Sequence, residues 1–154
     1  MNVRELMNTD IACCSKDDTL EQAARLMWEE DAGCLVVIEG AGIVTGMITD
    51  RDIAMAAYTT GKRLADIPVE LAMSRSINTC SPDANLSEVE GIMRKNQIRR
   101  VPVVDGERRL LGIVSLSDLA KQGPLSAPTI ATTLAAVTAP RQAKSSQLNG
   151  SAAV

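Results

Sequence analysis

The chain has 154 residues and a formal net charge of −3, enough length for one modest core and no basic footprint for nucleic acid. It has no His, the commonest general base and metal ligand, and no Phe; with Trp28 and Tyr58 as the only aromatics, stacking platforms for single strands are not expected. No apolar run approaches the roughly 18 residues of a membrane-spanning helix, and the polar start Met1-Asn2-Val3-Arg4-Glu5-Leu6 is unlike a signal peptide. A cytoplasmic protein that engages neither nucleic acid nor membrane is expected, with its four Cys reduced.

In chain order, residues 11–14 (Ile-Ala-Cys-Cys) suit a short buried strand. Thr19 then caps a helix, with Gln22 at capping-box spacing and an apolar stripe at Leu20, Ala23, Ala24 and Met27. Residues 35–38 and 43–48 predict two strands joined by a Gly-containing turn. A helix follows over 50–58, and 59–66 links it onward. The same grammar then returns. A stretch ending at Cys80 is followed by Asn85 with Glu88, and by the stripe Leu86, Val89 and Met93. Strands over 101–104 and 110–114 flank Asp105-Gly106, a strong hairpin signal, and a helix over 116–122 closes the unit.

The recurrence is a repeat. A shift of 66 residues carries Met7 onto Met73, Cys14 onto Cys80, Asp17 onto Asp83, Gly46 onto Gly112 and Asp52 onto Asp118. A repeated supersecondary unit buries its apolar face against its copy. The fold class is therefore α/β (α+β): two β-α-β-β-α repeats packed as a pseudo-two-fold pair, with related clefts where they meet. The division is 1–66 for the first repeat and linker, 67–123 for the second, and 124–154 for an Ala/Ser/Pro-rich tail. The tail has room for a short helix between Pro128 and Pro140, with Ile130, Leu134 and Val137 on one face. Beyond Pro140 it lacks the apolar content to fold alone.

Two chemical motifs are set aside. Gly40-Ala41-Gly42 with Gly46 resembles a dinucleotide loop, but such a fingerprint opens a helix, and here a strand follows. Cys13, Cys14, Cys34 and Cys80 form no paired metal-ligand spacing and read as small buried hydrophobes. Cys14 and Cys80 are repeat equivalents and are expected to face each other near the pseudo-dyad. Trp28, beside the first helix stripe, is core or a subunit contact.

Gly46-Met-Ile-Thr-Asp-Arg-Asp52 and Gly112-Ile-Val-Ser-Leu-Ser-Asp118 resemble the Gly-h-h-Ser/Thr-x-x-Asp signature of cystathionine β-synthase (CBS) domains. Ile98-Arg-Arg-Val-Pro-Val-Val-Asp105 is similar to the same family. The resemblance implies a regulatory module that binds an adenosine-containing ligand: AMP, ADP or ATP, with NAD or S-adenosylmethionine as alternatives. It implies a homodimer through the helices bearing Met27, Trp28, Ile92 and Met93, and a separate regulated protein partner. By analogy the cleft around Asp52 uses Thr49 and Arg51 with contacts from Asn78 and Ile98. The cleft around Asp118 uses Ser115 and Ser117 with Ala12 and Ala32.

Thr49/Asp52 and Ser115/Asp118 also fit plain helix caps. The Asp carboxylates equally suit a ribose diol, with hydroxyls and helix start near phosphate. Arg99 and Arg100 stand where family members often carry a basic residue facing phosphate. Their counterparts Gly33 and Cys34 are uncharged, so the two clefts are unequal. Strand alternation is expected to turn Arg99 and Arg100 to opposite faces. No nucleophile–base arrangement is present, so an enzyme is not expected. The alternative reading is a ligand-free dimerisation scaffold.

Overall fold

The structure, a computed structural model, describes residues 1–140; the tail end beyond Pro140 lies outside the described residues. The first unit runs β1 (Cys13–Cys14), α1 (Leu20–Glu29), β2 (Cys34–Glu39), β3 (Ile43–Thr49) and α2 (Asp50–Thr60). A one-turn α3 (Val69–Ala72) leads into α4 (Leu86–Asn96), β4 (Arg100–Val104), β5 (Leu110–Ser115) and α5 (Leu116–Gln122). Then α6 (Ala127–Thr138) follows. The α/β pair of repeats stands as expected.

Local chemistry places the helices. Thr19 accepts from Gln22 N–H at 3.2 Å while the Gln22 side chain takes Thr19 N–H at 2.8 Å, a complete capping box. Asn85 caps α4 alone, accepting from Glu88 N–H at 2.8 Å, without the return bond expected from Glu88. The stripes Leu20, Ala23, Met27 and Leu86, Val89, Met93 are all buried. Ala24 falls on the flank of its stripe, half-buried.

β1 runs parallel to β2, and β2 pairs antiparallel with β3. In the second unit β4 and β5 pair alone, and the expected first strand shrinks to one bridge, Cys80 to Val103. Both hairpins bulge at equivalent places, Val37/Ile38 and Val103/Val104. The sheets meet across Val36, Val44 and Val104, with Ile11, Cys13, Ile38, Ile77, Leu110 and Ile113 around them. The pseudo-dyad shows in reciprocal bonds. Val44 N–H donates to the Arg108 carbonyl at 3.1 Å, and Leu110 N–H to the Gly42 carbonyl at 2.9 Å. Gly42 and Arg108 both sit at positive φ, +91° and +65°, a turn that suits Gly and that Arg108 adopts at some cost.

The repeats exchange their lead-in segments. Val3 N–H bonds the Ala84 carbonyl at 3.0 Å, and Val69 N–H the Asp18 carbonyl at 2.7 Å. Val3 and Leu6 therefore bury in the second core, and Ile67, Val69 and Met73 in the first. The segments cross the sheets at Asn8–Ile113 and Ser74–Met47, each pair sharing two backbone bonds of 2.8–3.0 Å. This crossing gives the motif glycines their reason. A Cβ on Gly112 would lie 2.6 Å from Met7 Sδ and 3.1 Å from the Asn8 carbonyl; one on Gly46 would meet Met73 Sδ at 2.9 Å and the Ser74 carbonyl at 3.0 Å. Gly112→Ala is expected to lower stability by about 1–3 kcal/mol, the range for overpacking. Urea unfolding checks this, and a midpoint equal to wild type would contradict the crossing.

Cys14 and Cys80 do not face each other: each is buried in its own repeat's core, because β1 and the Cys80 bridge turn those side chains inward. Cys13, on the opposite face of β1, is the one that reaches the sheet-to-sheet seam. Burial, helped by Asp18 and Cys13, pushes the Cys14 thiol up to about 12, and burial with Glu88 pushes Cys80 to about 11. The thiolate is the reactive form. At pH 8 both thiols are thus protonated, and alkylation should be slow until pH rises toward those values or the chain unfolds. Rapid iodoacetamide labelling of Cys14 and Cys80 in the native protein at pH 8 would contradict this.

α6 forms where the tail left room for it. Ser126 accepts from Thr129 N–H at 3.3 Å, and Pro128 fits the first turn. Its inward residues are Ile130, Thr133 and Val137 against the second core, rather than Ile130, Leu134 and Val137. Leu134 stays 47% exposed on the flank. Thr133 can be fully buried because its hydroxyl is shared between the Thr129 carbonyl at 2.9 Å and the Glu90 carboxylate.

Candidate ligand site

Both signature motifs end a strand and start a helix. Thr49 caps α2: its N–H and hydroxyl each donate to Asp52 Oδ2 at 2.9 Å, and its Oγ accepts from Asp52 N–H at 3.2 Å. Ser115 caps α5 in the same way, with N–H and hydroxyl on Asp118 Oδ2 at 2.8 and 2.5 Å and Asp118 N–H on its Oγ at 3.2 Å. The capping role is therefore real in both copies. It uses one carboxylate oxygen of each Asp. Oδ1 of Asp52 and of Asp118 has no hydrogen-bond partner among the described residues.

Two hollows flank these starts. One of about 350 Å³ is lined by Arg99, Arg100, Ser115, Leu116, Ser117 and Ala120, with Ile130 and Leu134 of α6 across from them. The pairing of β4 with β5 sets this group, because Arg100 lies opposite Ser115 in register. Leu116 N–H holds the Arg99 carbonyl at 2.8 Å. Ser117 Oγ sits 2.8 Å from Ser115 Oγ. Arg99 and Arg100 both border this hollow. β4 begins only at Arg100, so strand alternation does not extend back to Arg99. Arg100 also acts on the Cys34 thiol of the first repeat, offsetting in part the burial that raises it.

The other hollow, about 380 Å³, is lined by Ala24, Met27, Trp28, Asp31, Ala32, Gly33, Asp50 and Ile53. It contains no basic side chain, and Asp31 and Asp50 make it acidic. The chemical inequality expected from Gly33/Cys34 against Arg99/Arg100 is thus present in space. Neither hollow draws its lining from both repeats. Ala32, expected with the Asp118 cleft, lines this second, acidic hollow instead, and Thr49, Asp52 and Asp118 line neither. Ala12 packs against the first core, its carbonyl accepting from Val36 N–H at 3.3 Å. Ile98 packs against the second core, and Asn78 is half-buried ahead of the Cys80 bridge. Arg51 is exposed on the first turn of α2. Sequence reasoning missed the contribution of α6; its apolar positions were visible, but nothing local said where they would dock.

Two repeated units, each with a hydroxyl–Asp box at the helix that follows its hairpin, define a paired-module fold. The CBS domain family matches this chain twice, at residues 3–58 and 64–123. The chain belongs to the CBS domain family. It is 39% identical over 119 residues to the CBS domain-containing protein YhcV of Bacillus subtilis, covering 77% of this chain and 83% of that one. It is 34% identical over 121 residues to hypoxic response protein 1 of Mycobacterium tuberculosis, covering 79% and 84%. The CBS domain pair of MJ0100, solved in complex with 5′-methylthioadenosine and S-adenosyl-L-methionine, superposes with a TM-score of 0.71 at 27% identity, covering 79% of this chain and 94% of that one.

Proposed function

We propose that this CBS pair is a sensor that binds an adenosine-containing ligand in the hollow at Arg99, Arg100, Ser115 and Ser117 and reports its occupancy to a protein partner. The carrying observation is that two Arg and two Ser residues line one hollow at the start of α5, whose capping Asp118 keeps an uncommitted carboxylate oxygen although it does not itself line the hollow. Guanidinium favours phosphate, often bidentately, and the free Oδ1 of Asp118 can accept from a ribose hydroxyl. AMP, ADP and ATP fit this chemistry best; NAD and S-adenosylmethionine are the alternatives. The ligands of the MJ0100 pair, both adenosine derivatives, support the reading. In the same reading the cleft near Asp52 uses Thr49 and Arg51 and, lacking a counterpart to the Arg pair, is the weaker one for phosphate.

The test is thermal unfolding with AMP, ATP, NAD and S-adenosylmethionine. A ligand at 100 times its Kd stabilises the native state by about 2.7 kcal/mol, so a bound nucleotide raises Tm by several degrees. The second reading, a ligand-free scaffold, is favoured by the completeness of both capping boxes and would leave Tm unmoved.

The same proposal takes the protein as a cytoplasmic homodimer with no catalytic role. No described helix is long and apolar enough to cross a membrane. Of the helical residues assigned to the dimer surface, Met27 and Met93 are buried in their own cores and Ile92 packs against the second; Trp28, 88% exposed, remains available. Met55 and Tyr58 on the neighbouring α2 are also exposed, so the first repeat's helices carry the contact. Light scattering should give twice the 16.4 kDa chain mass. A monomer at micromolar concentration would contradict it.

A further inference from the structure

α6 lies wholly beyond the residues matched to the CBS family, which end at 123. It is nonetheless built into the second repeat by specific contacts. Val137 and Ile130 pack on the second core. Thr133, fully buried, donates its hydroxyl to the carboxylate of Glu90 on α4, itself buried. The Gln97 side-chain amide, just past α4, donates to the carbonyls of Ala136 and Ala139 at 3.1 and 3.3 Å. The first repeat has no such fittings: the counterpart of Glu90 is Ala24, and that of Gln97 is Asp31. From this seat α6 places Ile130 and Leu134 in the wall of the Arg99–Arg100 hollow.

The hollow thus has a charged side and an apolar side, supplied by different parts of the chain. Phosphate belongs with the arginines. An apolar, flat ring belongs against Leu134, which keeps nearly half its surface open. Resting on the nucleotide reading above, we propose that α6 is part of the ligand site and is the element through which occupancy is reported. Ile130 and Leu134 contact the base end of the ligand, so the ligand binds tightly only while α6 is seated on α4 and α5. Binding and seating are then linked and reciprocal. Apparent affinity falls in proportion to the seated fraction, and ligand raises that fraction. Thr133 is a positioning residue: it does not line the hollow and can act on affinity only through α6.

The experiment uses the full chain, with AMP as probe. Affinity is measured for wild type, Thr133→Val and Thr133→Ser, and amide hydrogen exchange across 127–138 is followed with and without AMP. Thr133→Val keeps the side-chain volume but takes the donor from a buried carboxylate; Thr133→Ser restores it. The expected result is that AMP slows exchange in 127–138 in wild type, that Thr133→Val weakens AMP binding about tenfold as the seated fraction drops about tenfold, and that Thr133→Ser returns most of it. Exchange in α1, in the other repeat, serves as the control and should not change in the variant. AMP binding that leaves exchange in 127–138 and the affinity of Thr133→Val at wild-type values overturns this inference alone. Absence of AMP binding in every form overturns it together with the nucleotide reading.

Discussion

Replacing Arg99 and Arg100 together by Gln is expected to erase most of the preference for AMP over adenosine while leaving adenosine affinity nearly unchanged. Base and ribose contacts are common to both ligands, so the difference comes from charge near the phosphate. Each hydrogen bond to a charged partner contributes about 1.5–3 kcal/mol, and 1.4 kcal/mol is about tenfold in affinity. Loss of both arginines should therefore cost AMP at least about 100-fold if each holds a phosphate oxygen. Both side chains are solvent-exposed at the rim of the hollow, so the wild-type preference should also shrink as salt rises. Calorimetric titration of both ligands at two salt concentrations decides it. An undiminished AMP preference in the double variant would move the phosphate to the backbone and hydroxyls at Ser115 or Thr49.

Asp118→Ala is expected to weaken nucleotide binding at the Arg-bearing hollow, and Asp52→Ala at the other cleft, each by about 1.5–3 kcal/mol for a lost carboxylate–hydroxyl contact. Both substitutions also break a capping box in which one carboxylate oxygen holds an N–H and a hydroxyl. That alone should cost stability of about 1 kcal/mol, as for other lost helix caps. The two effects separate because they are read differently. Urea unfolding without ligand reports the cap, and titration well below the unfolding transition reports the ligand contact. If both variants lose stability and neither loses affinity, the two Asp residues are caps alone.

Much of this was legible in the sequence because the repeat compares the chain with itself. The Leu20–Ala23–Met27 stripe and its twin, the paired hairpins, and the Thr49/Asp52 and Ser115/Asp118 boxes are local patterns, set by side-chain period and capping chemistry, and they lie where the pattern put them. Three features were not legible, two of them for a tertiary reason. The exchange of lead-in segments turns on Gly46 and Gly112, and a glycine in a strand does not say which backbone will cross it. The first strand of the second unit fades to the Cys80 bridge although Cys14 forms a true strand, and we have no physical account of that difference. α6 docks through Thr133, a polar residue, against a buried Glu90, a pairing hydrophobic periodicity cannot find. At the site, the inequality of the two clefts was visible from Arg99 and Arg100 against Gly33 and Cys34. Their convergence in one hollow with α6 was not.

The central claim is that the second repeat's hollow holds an adenine nucleotide. Its most direct test is calorimetric titration of the full chain with AMP, beside the Arg99→Gln/Arg100→Gln variant. The account predicts saturable binding in the wild type that depends on the two arginines. No heat of binding with AMP, nor with ATP, NAD or S-adenosylmethionine titrated in its place, up to millimolar ligand would contradict it and leave the chain a scaffold.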